Sequence, residues 1–240
     1  MRRGQTSCLL NISKVQQGTA SKMASTLLTQ DQIDTYERDG YLLASGLVPA
    51  ELAARADAFL LKLMDSPKLN KLGHFSHDDP CLVECFTPDL IAAAAKLASE
   101  EVSTFPPPSQ VYIIPTFPTQ DVWQWPKPHI DHALKENGYK TIPRAFRIAC
   151  MTYLHDVAPH GGGTIVWPGS HRKLTALAEG DPEKYELMWA LNQELKEMDL
   201  GEPLELTPRQ GDVFFFHYLC AHAGSQNTGS RIRLAFNHKW

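Results

Sequence analysis

The chain has 240 residues, 43% of them hydrophobic, enough to bury the core of one domain with helical additions. A formal net charge of −4 lacks the basic footprint of a nucleic-acid binder, and no apolar run approaches the roughly 18–20 residues that span a bilayer. The cysteines (Cys8, Cys81, Cys85, Cys150 and Cys220) are odd in number and irregularly spaced, which argues against a disulfide framework and for reduced thiols in an intracellular protein.

Residues 1–30 contain no Asp or Glu but carry Arg2, Arg3, Lys14 and Lys22. We expect a flexible extension over residues 1–27, dispensable up to Met23, and one domain over residues 28–240. A cytoplasmic location is expected, although the acid-free start also suits a mitochondrial transit peptide. Thr29 and Gln32 fit a capping box opening a helix that faces Ile33 and Tyr36 inward and stops at Gly40. Tyr41–Leu43 suits a short strand. Pro49 is placed to open a helix to about Met64, with Leu52, Ala56, Phe59, Leu60 and Leu63 on its buried face. Residues 65–82 read as a loop, and Thr87-Pro88 as the start of a third helix through Ala98.

After Pro106-Pro107-Pro108 the character changes. Short β-rich runs follow at Val111–Ile114, Phe146–Leu154, Thr164–Trp167, Asp212–His217 and Arg231–Phe236, separated by Gly- and Pro-containing turns. Helices first and a β-sandwich or jelly roll after them make an α+β class. One helical insertion is expected from Asp181-Pro182 to about Met198, bordering the site entrance, with Tyr185, Met188, Trp189 and Leu195 on one stripe.

His129-Ile130-Asp131 places an imidazole and a carboxylate two residues apart, on one face if the segment is a strand. Phe216–His222 offers two further imidazoles, His217 and His222. His217 ends a phenylalanine strand and reads as a core or supporting group. Two imidazoles and one carboxylate form the facial triad of non-haem iron. His132 reads as a rim residue, and His171 as a loop-ordering one.

The motifs occur in a specific order. Leu28–Ile33 and Asp39-Gly40-Tyr41-Leu42 precede His129-Ile130-Asp131; Gly161-Gly162-Gly163-Thr164, Pro168-Gly169-Ser170-His171, Gly211-Asp212 and His222 follow. In this the sequence resembles the phytanoyl-CoA dioxygenase family over roughly residues 28–240. The resemblance implies a double-stranded β-helix (a cupin-like jelly roll) with the N-terminal helices packed on one sheet. It also implies Fe(II), 2-oxoglutarate and O2, and hydroxylation of a small molecule with release of succinate and CO2. His129, Asp131 and His222 match the metal ligands. Arg233, eleven positions after His222, matches the arginine that takes the far carboxylate of 2-oxoglutarate. Met151 and Ile114 are expected beside the cosubstrate, Met151 where the family often has tryptophan.

A halogenase would replace Asp131 by a small residue, so that activity is not expected. Oxidative cyclisation or desaturation would use the same ligands, and a catalytically silent ligand-binding relative is the alternative from another class. Trp123, Trp125, Trp167 and Arg147 are candidates for the substrate pocket. Lys135, Lys140, Arg144 and Arg147 read either as a solvated loop or as a greeting for an anionic group. No nucleic-acid or membrane partner is expected, and a monomer is favoured.

Overall fold

The computed structural model describes residues 27–65 and 73–240; the expected extension over residues 1–27 lies almost wholly outside them. Helix α1 (Gln30–Asp39) begins with the full capping box between Thr29 and Gln32 and ends at Gly40, whose φ of +79° is a left-handed cap. A Cβ on Gly40 would also meet His171 Nδ1 at 2.3 Å. Strand β1 (Tyr41–Ala44) and α2 (Ala50–Met64) follow, with Pro49 one position earlier than expected, at the N-cap. The expected loop instead contains β2 (Phe75–His77) and α3 (Pro80–Val83); Asp79 caps α3 and Pro80 opens it, a local signal that the loop reading passed over. Helix α4 (Pro88–Leu97) starts at Thr87, whose hydroxyl accepts from the Leu90 amide.

The β-rich part supplies β3 (Val111–Thr116), β4 (Ala149–Tyr153), β5 (Thr164–Val166), β6 (Leu204–Glu205), β7 (Val213–Phe216), β8 (His222–Gly224) and β9 (Arg233–Lys239). They form an antiparallel six-stranded sheet of order β1-β7-β4-β9-β3-β2 and a three-stranded sheet of order β6-β5-β8. One face of the large sheet (Ile113, Cys150, Phe215, Leu234, Phe236) packs on the N-terminal helices. Its other face (Met151, Tyr153, Phe214, Phe216, Ala235) meets Val166 of the small sheet. This is an α+β fold with a jelly-roll core and helices on one sheet.

The helical insertion differs from expectation. An unexpected helix α5 (Ser170–Gly180) precedes it, only the shorter α6 (Met188–Glu194) lies within it, and Asp181 closes α5 rather than opening a helix. Asp181 Oδ1 does accept from the Lys184 amide, but this caps only a turn. The start of α5 carries no side-chain cap; it follows Gly169 at φ +76°, whose amide donates to Asp39 O. Tyr185, Met188, Leu191 and Leu195 pack with Trp167 and Leu174 in a separate core under the small sheet.

Arg231 forms an ion pair with the buried Asp57 of α2, tying the start of β9 to the N-terminal helices. The described cysteines Cys81, Cys85, Cys150 and Cys220 are free. Among the described residues no helix is long and apolar enough to cross a membrane.

Two histidines are held neutral by packing. Burial, with His171 and Arg144 nearby, pushes His217 down to about 3. Burial and Lys239 push His238, packed edge-on to Phe86 and Trp240, down to about 4. The unfolded chain therefore binds more protons below the ordinary histidine value near 6.5, so this contribution is complete above it and is lost as pH falls toward the folded values. Metal-free protein should lose melting temperature between about pH 6.5 and 4, and His238→Phe should remove on the order of 1–2 kcal/mol of that loss. Thermal denaturation across this range in the presence of a chelator checks it; an unchanged slope in the variant would be the contrary result.

Candidate metal centre and cosubstrate pocket

His129 and His222 meet as an isolated antiparallel bridge, each amide donating to the other's carbonyl at 2.9 Å. The bridge sets the two rings side by side, with centroids 4.6 Å apart. The chain then turns at Asp131 and His132, so the His-x-Asp segment is a bridge and turn, not the strand expected. The side chains converge nonetheless. Ile130 points the opposite way into the core under the small sheet, and its amide donates to Asn192 Oδ1 of α6 at 2.9 Å. Helix α6 thus braces the segment through Asn192.

One ligand atom from each of His129, Asp131 and His222 lies within 4.8 Å of the others. Asp131 Oδ1 is 4.0 Å from His129 Nε2, and Oδ2 is 3.8 Å from His222 Nε2. His222 Nδ1 lies 2.9 Å from Cys220 O. A carbonyl can only accept, so Nδ1 carries the proton and Nε2 keeps its lone pair toward Asp131. Desolvation in the cavity and the neighbouring His222 push His129 down to about 4. Burial alone would raise Asp131, but His222, Lys239 and His129 outweigh it and hold the carboxylate low. Two imidazoles and one carboxylate are the donor set of a divalent transition ion. Asp131 Oδ2 is buried and accepts no well-formed hydrogen bond, although Lys239 Nζ stands 3.2 Å away. These residues fit a bound metal.

The triad borders a cavity of about 500 Å³. Arg233 lines it too, at only 2% exposure. Its Nε donates to Gly162 O at 2.6 Å and its Nη1 to Ile114 O at 2.9 Å. A guanidinium has five N–H donors, and no carboxylate among the described residues pairs with this one. Thr164, Met151 and Ile114 line the same space; the Thr164 hydroxyl bonds Tyr153 Oη at 2.6 Å and approaches Met151 Sδ at 3.6 Å.

The four candidates for the substrate pocket stand outside this cavity. Trp167 is buried in the core under the small sheet. Trp123 donates to Ser225 Oγ at 2.7 Å and stacks on His160, while Trp125 sits exposed against it. Arg147 bonds Glu100 and Thr104 and lies over Phe105, because an acid and a ring stand within its reach there. The basic segment is likewise engaged elsewhere: Arg144 with Glu100, Lys140 with Glu186, and Lys135 over Trp189. His217 belongs to a cluster with His171 and Tyr218, apart from the triad. The sequence reading missed His74, Tyr112, Asn237 and Lys239, all of which line the cavity. The last two share the face of Arg233, and alternation carried past Phe236 would have found them.

Similar folds occur in SnoK, an alpha ketoglutarate dependent carbocyclase from nogalamycin biosynthesis (TM-score 0.61, 17% identity, 88% of this chain and 82% of that one). They also occur in the epimerase SnoN in complex with Fe3+, alpha ketoglutarate and nogalamycin RO (0.60, 20%, 86% and 80%) and in EctD from S. alaskensis (0.58, 17%, 89% and 78%). At these identities they show the fold. A search of curated proteins finds no match. The family model for phytanoyl-CoA dioxygenase (PhyH) matches residues 68–235, spanning the triad, the glycine-rich turn and Arg233, and the chain therefore belongs to the phytanoyl-CoA dioxygenase family of iron- and 2-oxoglutarate-dependent oxidoreductases.

Proposed function

We propose that this chain is a dioxygenase that hydroxylates a small molecule, with His129, Asp131 and His222 as its Fe(II) ligands and Arg233 as the anchor for 2-oxoglutarate. The observation that carries the reading is Arg233, a buried guanidinium with unspent donors in the same cavity as the triad. Burying such a charge without a counter-charge costs several kcal/mol. A dicarboxylate supplies the counter-charge through two parallel hydrogen bonds. When bound, iron and 2-oxoglutarate supply the oxidation of a C–H bond by O2, with release of succinate and CO2.

The chain's own residues orient these partners. His222 is fixed in one tautomer by Cys220 O, and the His129–Asp131 segment is held by the bridge to His222 and by Asn192. Gly162 O and Ile114 O fix the guanidinium plane, leaving its remaining donors for the cosubstrate. Thr164 is placed to offer its hydroxyl beside it, with Met151 and Ile114 as apolar walls. SnoK and SnoN, described as a carbocyclase and an epimerase, share this fold, so ring closure is the second reading; product analysis separates it from hydroxylation.

His129→Ala, Asp131→Ala and His222→Ala should each abolish iron-dependent succinate release and lower bound iron, whereas His217→Ala keeps a measurable fraction of both. Metal analysis beside a succinate assay checks this, and full iron occupancy in His222→Ala would refute the ligand set.

Arg233→Ala should raise the 2-oxoglutarate KM by about a hundredfold, the loss of roughly two charge-assisted hydrogen bonds, with iron binding nearly intact. Arg233→Lys should recover only part of it, since one point charge replaces a two-bond fork. Arg231→Ala should lower the melting temperature through loss of the Asp57 pair and change KM little. The reverse order of the two alanine variants in KM would make Arg231 the anchor.

A further inference from the structure

Resting on the reading above, we propose that Lys239 recognises a carboxylate on the organic substrate, so that the enzyme acts on a small organic acid. Lys239 lies on the same face of β9 as Arg233 and Asn237. Six residues of strand separate the backbones of the two cations by about 20 Å. Arg233 therefore serves one end of the cavity, and Lys239 the end beside the triad. Its Nζ is 3.2 Å from Asp131 Oδ2 and lies over the Phe146 ring at 5.6 Å, with the side chain 24% exposed.

The charges in the cavity argue for an anion. Among the described residues its lining contains one acid, Asp131, against two basic side chains, Arg233 and Lys239. Desolvation holds His74, at the cavity wall, below the ordinary histidine value. A divalent ion, the Asp131 carboxylate, a dianionic cosubstrate and the Arg233 guanidinium together cancel. Lys239 is one positive charge left over. Its ammonium stands against the Asp131 carboxylate; a divalent ion held at the triad would compete for that carboxylate and repel the ammonium. An ammonium in a partly water-excluded cavity needs a new partner, and a monoanion on the substrate supplies it next to the reacting centre. A neutral amide of the same shape would leave the charge unpaired.

The test uses the full chain loaded with Fe(II) and 2-oxoglutarate without oxygen, following the visible charge-transfer band of that complex. The probes are 3-phenylpropionate and octanoate, each against its primary amide. The proposal expects each acid to perturb the band at concentrations at least about tenfold below its amide, the weight of roughly one ion pair. Lys239→Met should erase that preference and Lys239→Arg should keep it, with the 2-oxoglutarate Kd, measured with Mn(II), within about threefold of wild type in both. Equal response to acid and amide in the wild type overturns the proposal, as does the absence of any response to the acids up to about 10 mM. A Lys239→Met protein that loses 2-oxoglutarate affinity as strongly as probe affinity also overturns it, placing Lys239 on the cosubstrate instead. If Lys239→Met does not fold, the wild-type ratio and Lys239→Arg decide alone. Failure of the wild type to bind Fe(II) and 2-oxoglutarate would instead break the dioxygenase reading on which this rests.

Discussion

The fold is organised around a charge that has no place in a hydrophobic core. Arg233 is 2% exposed, and among the described residues two backbone carbonyls answer it. A guanidinium cannot escape burial by losing its proton, as a buried lysine can. Such a residue persists where its environment gives it a partner, and the cavity it lines is where that partner would sit. Glycine at 162 follows from the same constraint. The carbonyl that receives Arg233 Nε belongs to Gly162 at φ +83°, and a Cβ there would press on Thr116 and Asn227 at about 3.1 Å. The glycine-rich turn thus lets the backbone approach the guanidinium.

Strand β9 translates this constraint into architecture. Arg233, Asn237 and Lys239 face the cavity, while Leu234 and Phe236 face the helices with Ile113 and Phe215. Pairing with β3 on one side and β4 on the other leaves β9 no freedom to slip. A shift of one residue would exchange Arg233 with Leu234, exposing apolar surface to the cavity and driving a cation among the helices. Arg231 reinforces the register from outside by reaching Asp57 of α2. The N-terminal helices therefore stabilise the site indirectly, through the face of β9 that they cover.

Local signals were the legible part of the sequence. The Thr29–Gln32 box and the Thr87-Pro88 pair act within four residues, and both helices begin where those pairs place them. The β-rich run Arg231–Phe236 is a strand, although it begins at Arg233 and runs on to Lys239. Signals that depend on distant partners were not legible. Asp181-Pro182 has the composition of a helix start, yet the preceding helix α5, whose start follows Gly169 held by Asp39 far away in the chain, runs up to it and ends where Pro182 disfavours helical backbone at Asp181. Arg147 and the tryptophans have the chemistry of pocket residues, but Glu100, Ser225 and the core under the small sheet engage them. No periodicity encodes which acid or hydroxyl a long side chain will meet.

The His129–Asp131 segment shows why a candidate metal site on a turn still requires a rigid frame. An isolated two-residue bridge provides little stiffness, and a turn less. Three independent supports compensate. The bridge fixes His129 to His222, Ile130 anchors in the core between the two ligands, and Asn192 holds the Ile130 amide from α6. Each acts on a different atom of the same three residues, so the two side chains cannot separate without breaking a hydrogen bond or exposing apolar surface. The helical insertion works as a brace through Asn192 of α6. Its apolar stripe, ordinary packing by itself, becomes functional through the single amide acceptor that it carries to the back of the candidate metal centre.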